Sequence, residues 1–157
     1  MSLEIYLLGQ FKLKANGILI DLPSRPAQSL LAYLALNAGT TLRREKLSSL
    51  MWAESTETNA RGYLRQALWR IRKSLESGDL RWEDFLQINE ISVTFGVRSD
   101  YWLDVDLLTR PAEGRLLEEI VGDVRLYRGE LLPGFYDRWV DLERDQCVPS
   151  LIRHALL

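Results

Sequence analysis

One cysteine and one histidine are all that the 157 residues offer to thiol or imidazole chemistry. A lone Cys147 excludes an intrachain disulfide and any zinc framework of the usual spacing, and it fits a reducing cytoplasm. His154, close to the end of the sequence, reads as a surface or packing residue, not a ligand. There is no Gly-rich loop ending in Lys-Ser or Lys-Thr, no Gly-x-Ser-x-Gly elbow and no His pair, so the common phosphate-loop, hydrolase and metallopeptidase sites are excluded. The carboxylate pair Glu118-Glu119 does not converge on a single atom, because adjacent helix residues point about 100° apart. No apolar run approaches the roughly 20 residues that span a bilayer, and the N-terminus lacks a basic-then-apolar export pattern. The expectation is a cytoplasmic protein that binds and does not catalyse, with no cofactor and no membrane partner.

What is present is unevenly charged. The net charge is only −2, with 46% hydrophobic and 27% charged residues, an ordinary globular composition. Residues 1–100 carry 13 Lys and Arg against 11 Asp and Glu, whereas residues 101–157 carry 7 against 11. A surface for a polyanion therefore belongs to the first part.

That surface has one obvious place, the stretch from Asn59 to Glu76. Leu64, Ala67, Leu68, Ile71 and Leu75 recur at three- and four-residue spacing, which predicts a helix with one buried stripe. Thr58 or Asn59 is expected to cap its start and Gly78 to stop it. The open side then carries Arg61, Arg65, Gln66, Trp69, Arg70, Arg72 and Lys73, five positive charges with no acid before Glu76. Basic helix faces are usually just solvated. A solvated face, however, normally interleaves acids four positions ahead of bases, and the basic stretch has none. An α-helix so charged suits a DNA major groove, where Arg pairs with guanine edges or reaches phosphates. Trp69 reads as packing against a neighbouring hairpin, or as meeting a thymine methyl or a sugar.

Around this helix the chain predicts a compact arrangement. Short β-prone runs at Glu4–Leu8, Phe11–Ala15 and Ile18–Leu22, with Asn16-Gly17 between the last two, give an antiparallel sheet with a tight hairpin. Helices follow over Ala27–Asn37 and Arg43–Trp52, the second with Leu47, Leu50 and Met51 inward. After the basic helix, Phe85–Ile88 and Ile91–Phe95 form strands around a two-residue turn at Asn89-Glu90. Such a hairpin behind a recognition helix is a wing. Arg98 would touch the DNA backbone or adjacent minor groove, or else the hairpin is an edge with no contact.

The runs IYLLGQFKL, RPAQSLLAYLALNAG, REKLSSLMW and ARGYLRQALWRIRKSL, in that order, resemble the winged-helix DNA-binding domain of OmpR/PhoB-type regulators. Among these, the closest resemblance is to SARP-type bacterial transcriptional activators. The resemblance implies a third helix in the major groove and roles in DNA binding for Arg61, Arg65, Trp69, Arg70, Arg72 and Lys73. It also implies direct-repeat sites, dimeric or tandem binding on DNA, and recruitment of RNA polymerase. Gly62 departs from the family, whose members often carry a polar side chain there. From the residues themselves, Arg72, Lys73, Arg25 and Arg43 are expected to hold phosphates and Arg61 and Arg65 to read bases.

In the second part, Asp104 or Asp106 is expected to cap a helix that Pro111 ends, followed by helices over Ala112–Leu126 and from Asp137 onward. The run LYRGELLPGFYDRWVDLERDQ resembles the start of the bacterial transcriptional activator domain, a helical-repeat module of the tetratricopeptide type. A helical repeat needs about three units to bury its faces, so the chain reads as the first part of a longer protein. Pro149 predicts a break near Val148. The fold expected is α+β: an N-terminal antiparallel sheet, a three-helix winged helix-turn-helix with its hairpin over residues 1–100, then incomplete TPR-like helices over 101–157. The opposed reading keeps this fold but docks the basic helix on an acidic protein partner.

Overall fold

The structure, a computed structural model, describes residues 2–96, 101–109, 131–132, 135 and 137–143. Its strands are β1 (Leu3–Tyr6), β2 (Lys12–Ala15), β3 (Ile18–Ile20), β4 (Leu42–Arg43), β5 (Leu86–Ile88), β6 (Ser92–Phe95) and β7 (Tyr101–Leu103). Its helices are α1 (Arg25–Leu36), α2 (Arg44–Met51), α3 (Glu57–Ser77) and α4 (Asp104–Thr109). The fold is mixed α+β, with one sheet in the order β3-β2-β1-β7 and another in the order β4-β6-β5. The chain divides into two compact units. One comprises residues 1–4 and 13–102; the other takes in residues 5–12 and the part of the chain after Trp102.

In the first unit, Asn16 (φ 53°) and Gly17 (φ 84°) form the positive-φ turn that their dipeptide predicts. The register pairs Leu13 with Ile20 and Ala15 with Ile18, leaving Leu13 and Ala15 buried on one face. Strand β3 ends at Ile20 and not at Leu22. The Leu22 carbonyl instead accepts from the Ser24 N–H and the Gln28 Nε2, both at 2.8 Å, and turns the chain into α1. Helix α1 is capped by Ser24, whose Oγ accepts from the Ala27 N–H, with Pro26 in its first turn. Helix α2 buries Leu47 and Ser48, whereas Leu50, expected inward, is 37% exposed. An eight-residue helix has room for one narrow stripe, and Leu47, Ser48 and Met51 set its direction.

Helix α3 starts two residues earlier than its hydrophobic pattern announces. Thr56 is the cap, its Oγ1 accepting from the Asn59 N–H at 3.2 Å, so Thr58 and Asn59 lie inside the first turn. Thr56→Ala is therefore expected to destabilise the protein by about 1 kcal/mol in chemical denaturation. Thr58→Ala, at an exposed position, should stay within about 0.5 kcal/mol.

The end of α3 also differs from expectation. Gly78 has φ −94°, and the positive φ falls on Asp79 at 61°. What demands glycine at 78 is proximity: a Cβ there would lie 2.7 Å from Ala15 Cβ and 2.8 Å from Ile20 Cγ2. Gly78→Ala should cost about 1–3 kcal/mol through overpacking. Gly62 is the opposite case, since a Cβ there meets nothing within 4 Å. Gly62→Ala should stabilise α3 by about 0.5–1 kcal/mol, seen as a raised denaturation midpoint at constant slope.

The β5–β6 hairpin pairs Leu86 with Phe95 and Ile88 with Val93. Its turn holds three residues, not two, because Asn89 Oδ1 accepts from the N–H groups of Ile91 (2.8 Å) and Ser92 (2.7 Å). A third strand, β4, joins it by pairing Leu42 with Val93 and Arg43 with Ser92. Two residues carry no periodicity, so β4 is not legible in sequence.

In the second unit, Asp104 is buried at the start of α4, where its carboxyl is hydrogen-bonded to the Val105 N–H and its own, and it also reaches much earlier residues. Its carboxylate accepts the Leu7 N–H at 3.0 and 3.1 Å and the Leu8 N–H at 3.0 Å. The Leu7 carbonyl in turn accepts from Leu132, and Leu8 bridges Leu131. Residues 138–143 are helical, with Trp139 and Val140 buried and Leu142 exposed. Arg98, Pro111, the helix expected over 112–126, Cys147, the break near Val148 and His154 lie outside the described residues. Among the described residues, no helix is long and apolar enough to cross a membrane.

Candidate nucleic-acid interface

Helix α3 buries Ala60, Leu64, Ala67, Leu68, Ile71, Ser74 and Leu75, which includes the whole predicted stripe. At about 100° per residue, burial of this arc fixes where the remaining side chains stand around the axis. Arg61, Arg72 and Arg65 fall within about 40° of one another along one flank, with Trp69 and Lys73 continuing across the open face. Arg70 stands about 180° from Arg61 and is half-buried, so it belongs to the opposite flank.

Three of the cations are individually held. Arg61 Nη2 lies 4.0 Å from Glu57 Oε1 one turn earlier, a pair that exists because α3 begins at Glu57. Lys73 Nζ lies 3.8 Å from Glu76 Oε2 and 5.7 Å from the centroid of the Trp69 ring. The face is thus less uniformly basic than its sequence suggests. Both ion pairs are exposed, and such pairs contribute only about 0.3–0.5 kcal/mol. Arg72 is half-buried, with its guanidinium carbon 5.1 Å from the centroid of the Trp82 ring. Trp82, in a 3-10 turn over Trp82–Asp84, thereby offers its ring face to a cation of α3.

Helix α2, the loop after it, the N-terminal half of α3 and the β5–β6 turn line an open groove of about 940 Å³. Its walls carry Arg43, Arg44, Arg61 and Arg65 together with Glu45, Glu57 and Glu90. Three of the four arginines are in positions where the sequence predicts DNA contact or helix-start phosphate binding. Arg25, the exposed first residue of α1, is not among the lining residues. Ser48 also lines the groove, and its buried Oγ has no hydrogen-bond partner among the described residues.

Arg44 is the residue that sequence reasoning missed. Its backbone N–H donates to the Ile91 carbonyl at 2.8 Å and its Nη1 to the Asn89 carbonyl at 3.2 Å. The Arg43-Arg44 dipeptide shows charge at a helix start, but nothing local says that the second guanidinium reaches a turn 45 residues on. Trp69 is the other revision. It is 50% exposed, near the middle of the open face. Among the described residues, no group of three or more His, Cys, Asp or Glu is placed to hold a metal.

No protein-family model matches the chain, and no curated protein matches it in sequence. Among solved structures it is similar to Mycobacterium tuberculosis EmbR in complex with a low-affinity phosphopeptide, with a TM-score of 0.80 and 18% identity. The likeness covers 98% of this chain and 43% of that one, so this chain spans less than half of EmbR's length. At this identity the likeness is one of fold alone.

Proposed function

We propose that this chain is a sequence-specific DNA-binding part of a transcription regulator, an activator, and works by binding without catalysis. In this reading α3 enters the major groove and the β5–β6 hairpin is a wing over the adjacent backbone. The observation that carries it is the continuity of positive side chains: Arg61 and Arg65 border both the open face of α3 and the groove that holds Arg43 and Arg44. Arg61 and Arg65 read base edges, and Arg43, Arg72 and Lys73 anchor phosphates. The unpaired Ser48 hydroxyl supports a polar ligand in the groove, because a buried donor without a partner costs about 1–3 kcal/mol. The likeness of fold to EmbR, beside the sequence resemblance to SARP-type activators, supports the regulator role; recruitment of RNA polymerase and tandem binding on duplex DNA follow from that resemblance and are part of the proposal.

The test is binding to duplex DNA over a salt series. Contacts to several phosphates should make affinity fall steeply as salt rises from about 50 to 200 mM, with a preferred duplex held over a scrambled one. Binding that is absent at low salt would reject the reading and favour an acidic protein as the partner of the basic face.

A further inference from the structure

Trp69 is the largest apolar group on the open face of α3, and half of its surface is in water. Tyr63, the other exposed aromatic of the helix, is engaged with Trp52 at a ring separation of 6.0 Å and points about 120° away around the axis. Leaving an indole in water on a helix forgoes the burial that large aromatics ordinarily supply, so its position calls for a ligand that covers it. Lys73 lies over the ring, which holds the indole from the C-terminal side. Toward the N-terminus, Gly62 stands only about 20° from Trp69 around the axis, and the space a side chain would fill there is open. The middle of the face is therefore low at Gly62 and raised at Trp69, flanked by Arg65 one turn before.

We propose that Trp69 is a specificity-determining residue that covers the 5-methyl group of a thymine in the major groove. This rests on the DNA-binding reading above. In that groove thymine alone presents a methyl group beside its hydrogen-bonding edge. The carbon edge of an indole matches the methyl and nothing else there. Arg61 and Arg65 already supply the donors that guanine requires, so Trp69 adds a different kind of information to the same helix.

The experiment selects duplexes from a random-sequence pool with this chain and resynthesises the preferred one with deoxyuridine at each thymine in turn, which deletes the methyl alone. One position should weaken binding about three- to fivefold, the size expected for one buried methyl group. Trp69→Ala should bring the thymine-to-uracil ratio at that position to about one, and Trp69→Phe should keep part of it, with salt dependence preserved in both. A pool that yields a preferred sequence but a flat deoxyuridine scan, or an unchanged ratio in Trp69→Ala, overturns the assignment and leaves DNA binding standing. A pool that yields no preference and no salt-dependent binding overturns both.

Discussion

Replacing Arg61 and Arg65 together with alanine is expected to abolish most of the discrimination between a preferred duplex and a scrambled one. Each bidentate pairing with a base contributes about 1–3 kcal/mol, so the loss should be roughly 2–6 kcal/mol on the preferred duplex and much smaller on the scrambled one. Both side chains are exposed, and Arg61's pair with Glu57 is weak, so the fold should survive the change. Arg72→Ala makes the contrast: a phosphate contact carries no sequence information, so both duplexes should weaken alike and the salt slope should drop by about one. Arg72 also stacks on Trp82, so a melting curve must accompany its binding curve. Anisotropy titrations on the two duplexes decide the matter, and parental discrimination in the double variant would falsify the assignment of α3 as the reading helix.

The second large effect concerns Asp104 of the second unit. Asp104→Ala should destabilise the second unit by about 2–5 kcal/mol, because the buried N–H groups of Leu7 and Leu8 lose their acceptor. Burial also pushes the Asp104 carboxyl above its ordinary value of 3.8, outweighing the backbone hydrogen bonds that favour the charged form. A folded-state pKa above the unfolded one means that the folded state holds the proton more tightly. The contribution to stability is thus fully present below pH 3.8 and is lost as pH rises through the raised value. Denaturant midpoints measured from acid to neutral pH should show this downward component in the parent and lack it in Asp104→Asn. A parent and an Asn variant with the same pH slope would show that Asp104 titrates normally.

These two sites were not equally legible. The stripe of Leu64, Ala67, Leu68, Ile71 and Leu75 repeats over about three turns, and three turns of one period outweigh any local ambiguity. Asn16-Gly17 specifies its own turn for the same reason, since the conformation is a property of the dipeptide. The cap of α3 was harder to place, because Thr56, Thr58 and Asn59 are all competent and only the path of the incoming chain chooses between them. Only the local half of Asp104's role is legible, because its other partners lie 97 and 96 residues earlier and no local pattern records a bond of that span. Arg44 and Trp82 belong to the same class: each is explained by a neighbour that is distant or aromatic, not by its own charge or period.

The two-residue strand β4 bears on kinetics as well as on architecture. A hairpin alone is marginal in water, but this one gains a third strand, and the Arg44 N–H and guanidinium bind both sides of its turn. The turn and the first residue of α2 are thereby riveted to each other before any partner arrives. An encounter with a ligand on that side needs no ordering step from the turn, so little entropy is surrendered there and association is not slowed by waiting for a rare conformer.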